Sequence, residues 1–265
     1  MGFGWGIFGA SFATVLAQLI AFLLCLRSLR RLPFVQLTKA DWKTDPAILM
    51  HLCRLGIPTG LQMSMITLGG MVLQSVLNGF GVVFVAGYTA ANKLYGILES
   101  ASVAFGYAMT AYMGQNRGAR NAARIDAGIR AVLVLSAEFT AAIVMAMLVA
   151  GKPLLGLFLS TEEAGAADAL AVAYQYLMVL MAFLFALFML QAYRSSLQGL
   201  GEMTVPTLSG FAEMLMRMGA ALVLPTCIGQ SGVFFAEGAA WVCAAALNLV
   251  WYYMRIGKIK REMLK

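Results

Sequence analysis

The sequence has 265 residues, 61% of them hydrophobic and 12% charged, with a mean hydropathy of +0.81. A soluble domain averages roughly 45–50% apolar and about 25% charged, so the composition excludes an ordinary soluble domain and marks an integral membrane protein. The net charge of +7 would point to nucleic acid in a soluble chain, but here the positions of the basic residues exclude that partner.

Apolar runs of about 20 residues, the length that crosses a bilayer, recur at roughly 8–27, 55–78, 84–113, 130–150, 168–192, 204–227 and 231–254. Backbone groups in lipid must be satisfied internally, and the runs are too long and too uniform for barrel strands. They predict an all-α fold of about seven transmembrane helices. The first run follows an uncharged, glycine-rich start and has Arg27, Arg30 and Arg31 behind it. A cleaved signal peptide carries its charge in front, so 1–31 reads as a membrane helix with its N-terminus outside.

Residues 32–54 carry Pro33, Lys39, Asp41, Trp42, Lys43, Asp45 and Pro46, a composition unlike the rest. They read as a cytoplasmic interfacial linker with Trp42 at headgroup level. Behind this boundary, 55–265 reads as a six-helix unit with a basic tail. Pro58 falls in the expected first turn of the second helix, where its missing N–H costs little. Asn78-Gly79-Phe80-Gly81 is a short turn, 115–120 a polar basic turn, 198–202 a second turn on that side, and 227–232 an uncharged external one. The external segment 151–167 is expected to hold a short surface helix near Glu162 and Glu163.

Of nineteen Lys and Arg, six lie in 27–54, four in 117–130, one at Arg194 and five from Arg255 onward. All of these fall in alternate connections. By the positive-inside rule these connections, and with them the C-terminus, are cytoplasmic.

Two polar seams run along the apolar segments at 54–114. Ser64, Thr67, Met71, Gln74 and Asn78 step by three and four on one predicted helix, and Tyr88, Asn92, Tyr95, Glu99 and Ser102 on the next. Such spacing places each set on one face. A polar side chain in hydrocarbon needs a partner or water, so a seam implies a helix contact or a solute pathway. Glu99, Glu138, Glu213, Glu237, Lys93 and Arg217 lie inside expected spans and should face the bundle interior.

Glu213 and Arg217 are four apart, which allows an intrahelical pair that fixes packing or direct handling of a cation. Glu99 beside Tyr95 and Tyr88 suits a flat organic cation by stacking, cation–π contact and charge. In a poorly hydrated cavity it could exchange a proton for that cation; the alternative is a buried acid paired with Lys93 or with another helix. Glu237 shares a face with Trp241, Asn248 and Tyr252, while Glu138 has only Ser136 and Thr140 near it and reads as structural.

Cys25, Cys53, Cys227 and Cys243 are far apart and read as buried packing residues. The one histidine, His51, cannot build a His-based metal site, and no nucleophile–base spacing appears, so an enzyme is not expected. The 18 methionines read mostly as core. Ala236, Ala240 and Ala244, like Ala142, Ala146 and Ala150, form faces for close helix packing.

Gly6-Ile-Phe-Gly9-Ala-Ser-Phe12-Ala13 matches Gly229-Gln-Ser-Gly232-Val-Phe-Phe235-Ala236 at four positions. Each precedes a helix that ends in a basic cluster, so the first and seventh runs read as equivalent final elements of two repeats.

Leu55-Gly-Ile-Pro-Thr-Gly-Leu-Gln62, Ala90-Ala-Asn-Lys93, Gly114-Gln-Asn-Arg-Gly-Ala119, the Glu213/Arg217 pair and Ala236-Glu237 together resemble the multidrug and toxic compound extrusion (MATE) transporters. The resemblance implies a twelve-helix fold of two lobes that exports cationic, often aromatic, drugs against protons or sodium ions. On that template 1–31 is equivalent to the last helix of the N-lobe, 32–54 to the interlobe linker and 55–265 to the C-lobe; most of the N-lobe is absent.

Regions 59–67 and 183–190 lack the acids that some branches carry, which makes the chain more similar to the DinF- and MepA-type branch. The resemblance further implies a multi-pass protein of the cell inner membrane, with a small cationic substrate, the bilayer and the missing N-terminal lobe as partners, and no cofactor beyond a coupling H+ or Na+. Candidate substrate- or ion-binding residues are Gln62, Ser64, Thr67, Gln74, Asn78, Tyr88, Asn92, Lys93, Tyr95, Glu99, Glu213, Arg217, Glu237 and Trp241. A lipid-linked sugar flippase of the same superfamily and a non-transporting remnant are the alternatives.

Overall fold

The computed structural model describes residues 6–31, 43–159 and 165–263. Among them there is no strand. The long helices are α1 (Gly6–Leu29), α2 (Pro46–Leu77), α3 (Val82–Gly118), α4 (Ala122–Gly156), α5 (Ala166–Gly199), α6 (Thr204–Ile228) and α7 (Phe235–Met263), with 3₁₀ turns at Asn78–Phe80 and Gln230–Phe234. Six are long and apolar enough to cross a membrane; α3 is the exception, its hydropathy lowered by Tyr88, Asn92, Lys93, Tyr95 and Glu99. The expected linker residues 32–42 and the surface helix near Glu162 and Glu163 lie outside the described residues.

The chain divides into two compact units, Met1–Leu52 and Cys53–Lys265. The first holds α1, whose single arginine in the last turn, Arg27, sits where a cation favours the helix dipole, and the opening of α2. That opening differs from expectation. The helix begins at Pro46, not near residue 55: Asp45 Oδ1 accepts the Ala47 N–H at 2.8 Å, and Pro46 has no N–H to orphan. Pro58 is therefore inside α2.

The second unit is built around α5. It packs on α3, α7 and α4, while α6 packs on α7. Small residues allow the closest crossing: a Cβ on Gly199 would lie 2.5 Å from the Thr110 carbonyl oxygen, and one on Gly106 would lie 2.8 Å from Ser195 Oγ. Ala236, Ala240 and Ala244 are fully buried on α7. The α4 set differs: Ala142 and Ala146 are exposed, so that face meets no neighbour among the described residues. Glu138 is likewise on the outer surface of α4, not in the interior. The cysteines are free, with Cys25, Cys53 and Cys227 exposed and only Cys243 half-buried, which corrects their reading as packing residues.

The turns fall where glycine permits them. Gly81 before α3 and Gly229 before the second 3₁₀ turn have φ of +91° and +78°, a region that favours residues without a Cβ. Asn121 caps α4, its Oδ1 accepting the Arg124 N–H at 3.1 Å.

Candidate functional site: a charged cavity

A cavity of about 630 Å³ opens among α2, α3, α5, α6 and α7. Its polar centre is a chain of alternating charges. Glu213 Oε2 lies 2.5 Å from Arg194 Nη2, Glu213 Oε1 lies 3.1 Å from Arg217 Nη2, and that nitrogen lies 2.7 Å from Glu237 Oε2. Arg217 Nη1 also donates to the Ile66 carbonyl of α2 at 3.0 Å. Isolated charges this deep would be prohibitive, whereas alternating partners compensate one another's lost hydration. The Nε atoms of Arg194 and Arg217 are buried with no partner.

Local sequence explains the assembly. Glu213 and Arg217 are one turn apart on α6 and face the same way. Glu237 lies in the first turn of α7, where the helix dipole favours an acid. The side of α6 that meets α2 is opened by Gly210, whose Cβ would come within 2.7 Å of Gln62 Cγ. Across the cavity, Tyr95 stacks on Trp241 with centroids 5.5 Å apart and planes at 22°. The Tyr95 hydroxyl is beside the Glu99 carboxylate one turn on. Glu99 has no ion pair among the described residues.

Of the residues expected to bind substrate or ion, Asn92, Tyr95, Glu99, Glu213, Arg217, Glu237 and Trp241 line this cavity. The others are elsewhere. Gln62 is fully buried and accepts from Gln198 Nε2 at 3.0 Å, joining α2 to α5. Ser64 and Thr67 are exposed on α2 and donate to their own helix, at Gly60 O and Met63 O. Gln74 and Asn78 hydrogen-bond each other at 3.0 Å on the exposed face. Tyr88 is in an aromatic core, stacked on Tyr176 at 4.5 Å. Lys93 is exposed and forms no pair with Glu99.

A step of three and four identifies a helical face but not what that face meets, which is why each seam divides. Arg194, whose place beyond the apolar run at 168–192 reads as a loop, is inside α5 and 6% exposed. The signal was present in the absence of any turn residue before Gly199. Thr110, Gln191, Ser195 and Gln198 also line the cavity, although in the sequence they fall near the edges of apolar runs and carry no polar spacing of their own.

The MatE family model matches residues 58–223, which include the α2, α3, α5 and α6 walls. This chain belongs to the MatE family. It is 31% identical to the probable multidrug resistance protein YpnP of Bacillus subtilis (strain 168), over 99% of this chain and 57% of that protein. It is 26% identical to the probable multidrug resistance protein YoeA of the same organism, over 97% of this chain and 56% of that protein. The chain thus spans somewhat more than half the length of these relatives.

A solved MATE in complex with MaL6 has the same fold, with a TM-score of 0.87 at 22% identity over 97% of this chain and 58% of that one. A MOP-superfamily transporter from Pyrococcus furiosus, also at TM-score 0.87, is 23% identical over the same shares. The fold is therefore that of MATE transporters, and family relatives are transporters, not enzymes.

Proposed function

We propose that the chain is the C-terminal part of a secondary active efflux transporter and that the cavity is its half of a substrate cleft. Residues 1–31, 32–54 and 55–265 then correspond to the last N-lobe helix, the interlobe linker and the C-lobe. The observation that carries this reading is the charge balance of the cavity. Glu99, Glu213 and Glu237 face Arg194 and Arg217, and Glu99 is the carboxylate left without an ion pair. One negative charge next to the Tyr95–Trp241 stack favours an aromatic cation by cation–π contact and charge. The names of the Bacillus relatives support drugs as the substrate class.

Coupling follows from competition. A proton or sodium ion on Glu99 removes the charge that holds the organic cation, so the two ligands favour different conformations as the lobes rock. The basic helix ends put the C-terminus in the cytoplasm and the α6–α7 turn outside, in the cell inner membrane. Catalysis has no part in this reading.

Glu99→Gln in a full-length two-lobe protein carrying this chain is expected to reduce efflux of a cationic dye at least tenfold with expression intact. Wild-type efflux in a well-expressed variant would overturn the role of Glu99. A sugar-lipid flippase needs a net basic cavity, and the pairing of both arginines with glutamates leaves none.

A further inference from the structure

A second cavity, of about 590 Å³, shares no lining residue with the first and lies between the early turns of α2, the α5–α6 turn and the late turns of α7. Two arginines, Arg54 and Arg255, line it, with Glu202 as the acid facing them. Glu202 Oε1 takes up one side of Arg255 at 3.5 Å. Arg255 Nε is buried with no partner, and its guanidinium lies over the Trp251 ring, 5.6 Å from the centroid. Arg54 has no ion pair among the described residues. The cavity is therefore net positive, with donor capacity left over on both arginines.

Its remaining wall sets Leu55, Pro58, Leu61, Met203 and Leu208 beside Thr204 and Thr207, and its apolar part opens outward: Leu61 and Leu208 are 48% and 57% exposed. A basic pocket between helices, flanked by an exposed apolar strip and a tryptophan, combines two features found at the membrane surface, where headgroups meet acyl chains.

We propose that this cavity binds the phosphodiester headgroup of an anionic phospholipid. Arg54 and Arg255 hold the phosphate, and the first acyl chain lies along Leu61 and Leu208. The proposal rests on the orientation above, which puts this end of the bundle at the cytoplasmic surface. Glu202 competes with the phosphate for Arg255, so lipid binding releases the Glu202 contact that ties α7 to the α5–α6 turn.

The test is native mass spectrometry of the full chain in detergent, titrated with dioleoylphosphatidylglycerol, dioleoylphosphatidylcholine or inorganic phosphate. Wild type is expected to bind phosphatidylglycerol roughly tenfold more tightly than phosphatidylcholine, and millimolar phosphate should not displace it. The Arg54→Gln/Arg255→Gln double variant should lose the preference. Glu202→Gln should strengthen it, a gain that misfolding cannot produce. Equal affinity for the two lipids in wild type, an unchanged preference in the double variant, or displacement by inorganic phosphate would overturn the proposal. The readout needs no transport, so a chain that binds phosphatidylglycerol selectively but supports no efflux separates this site from the transport reading.

Discussion

Glu213 holds two guanidiniums at once, and this makes the ion-pair chain unequal in its parts. Removing Arg194 leaves Glu213, Arg217 and Glu237 with one uncompensated negative charge in a buried site. Removing Arg194 and Glu213 together leaves the neutral Arg217–Glu237 pair at 2.7 Å. Truncating one partner of a buried pair costs roughly 3–5 kcal/mol, whereas replacing both with apolar groups is often near neutral. Arg194→Met is therefore expected to lower the detergent-solubilised unfolding temperature more than Arg194→Met/Glu213→Leu does, as measured by a thermal double-mutant cycle. A double variant as unstable as the sum of the singles would count against coupling.

Lys93 provides the complementary case. Because it is exposed and unpaired with Glu99, Lys93→Gln is expected to change stability by no more than about 0.5 kcal/mol. A larger loss by the same measurement would revive the Lys93–Glu99 pair. Spacing alone could not choose between these readings, because it says nothing of whether two charges on one helix turn toward each other.

At the scale of elements, the α3–α5 crossing depends on residues that leave no side chain. A Cβ on Gly199 would lie only 2.5 Å from the Thr110 carbonyl oxygen, so Gly199→Leu must push the helices apart. Overpacking of this kind costs roughly 1–3 kcal/mol, and the expected outcome is a lower unfolding temperature together with lost protease resistance in the loop after α3. The α3 helix itself shows why hydropathy underestimates a span. At 37 residues it is about 55 Å long, but polar residues such as Asn92, Lys93 and Glu99 dilute the apolar signal.

Helix ends were also displaced from the apolar runs, with α2 starting at Pro46 and α7 continuing to Met263. Hydropathy reports contact with lipid, while helix propagation continues through polar residues until a cap stops it. Orientation can be tested at two exposed thiols. Cys227 near the end of α6 should react with a membrane-impermeant maleimide on intact cells, while Cys53 on α2 should react only after permeabilisation. The opposite pattern would invert the topology.

For the whole molecule, the proposed function makes the cavity one half of a two-lobe cleft, and one half cannot alternate access. The 265-residue chain expressed alone is therefore expected to give no dye efflux above background, and co-expression with an N-terminal lobe from a full-length relative should restore it. Efflux by the chain alone would show that it completes a cleft by another route.

What the sequence determined by itself was the class, the number of helices, the family and the identity of most charged residues in the cavity. These follow from local quantities: run length, charge placement and motifs whose residues are adjacent in the chain. Only the tertiary structure decided that Arg194 belongs to the cavity, that Tyr88 is core, that Gln62 joins α2 to α5, and that Ser64, Thr67, Gln74 and Asn78 face outward. Those outcomes depend on how α5, α6 and α7 are rotated against α2 and α3. That rotation is set by close packing at Gly106, Gly199 and Gly210 and by desolvated ion pairs between residues far apart in sequence, which no single helix's periodicity contains.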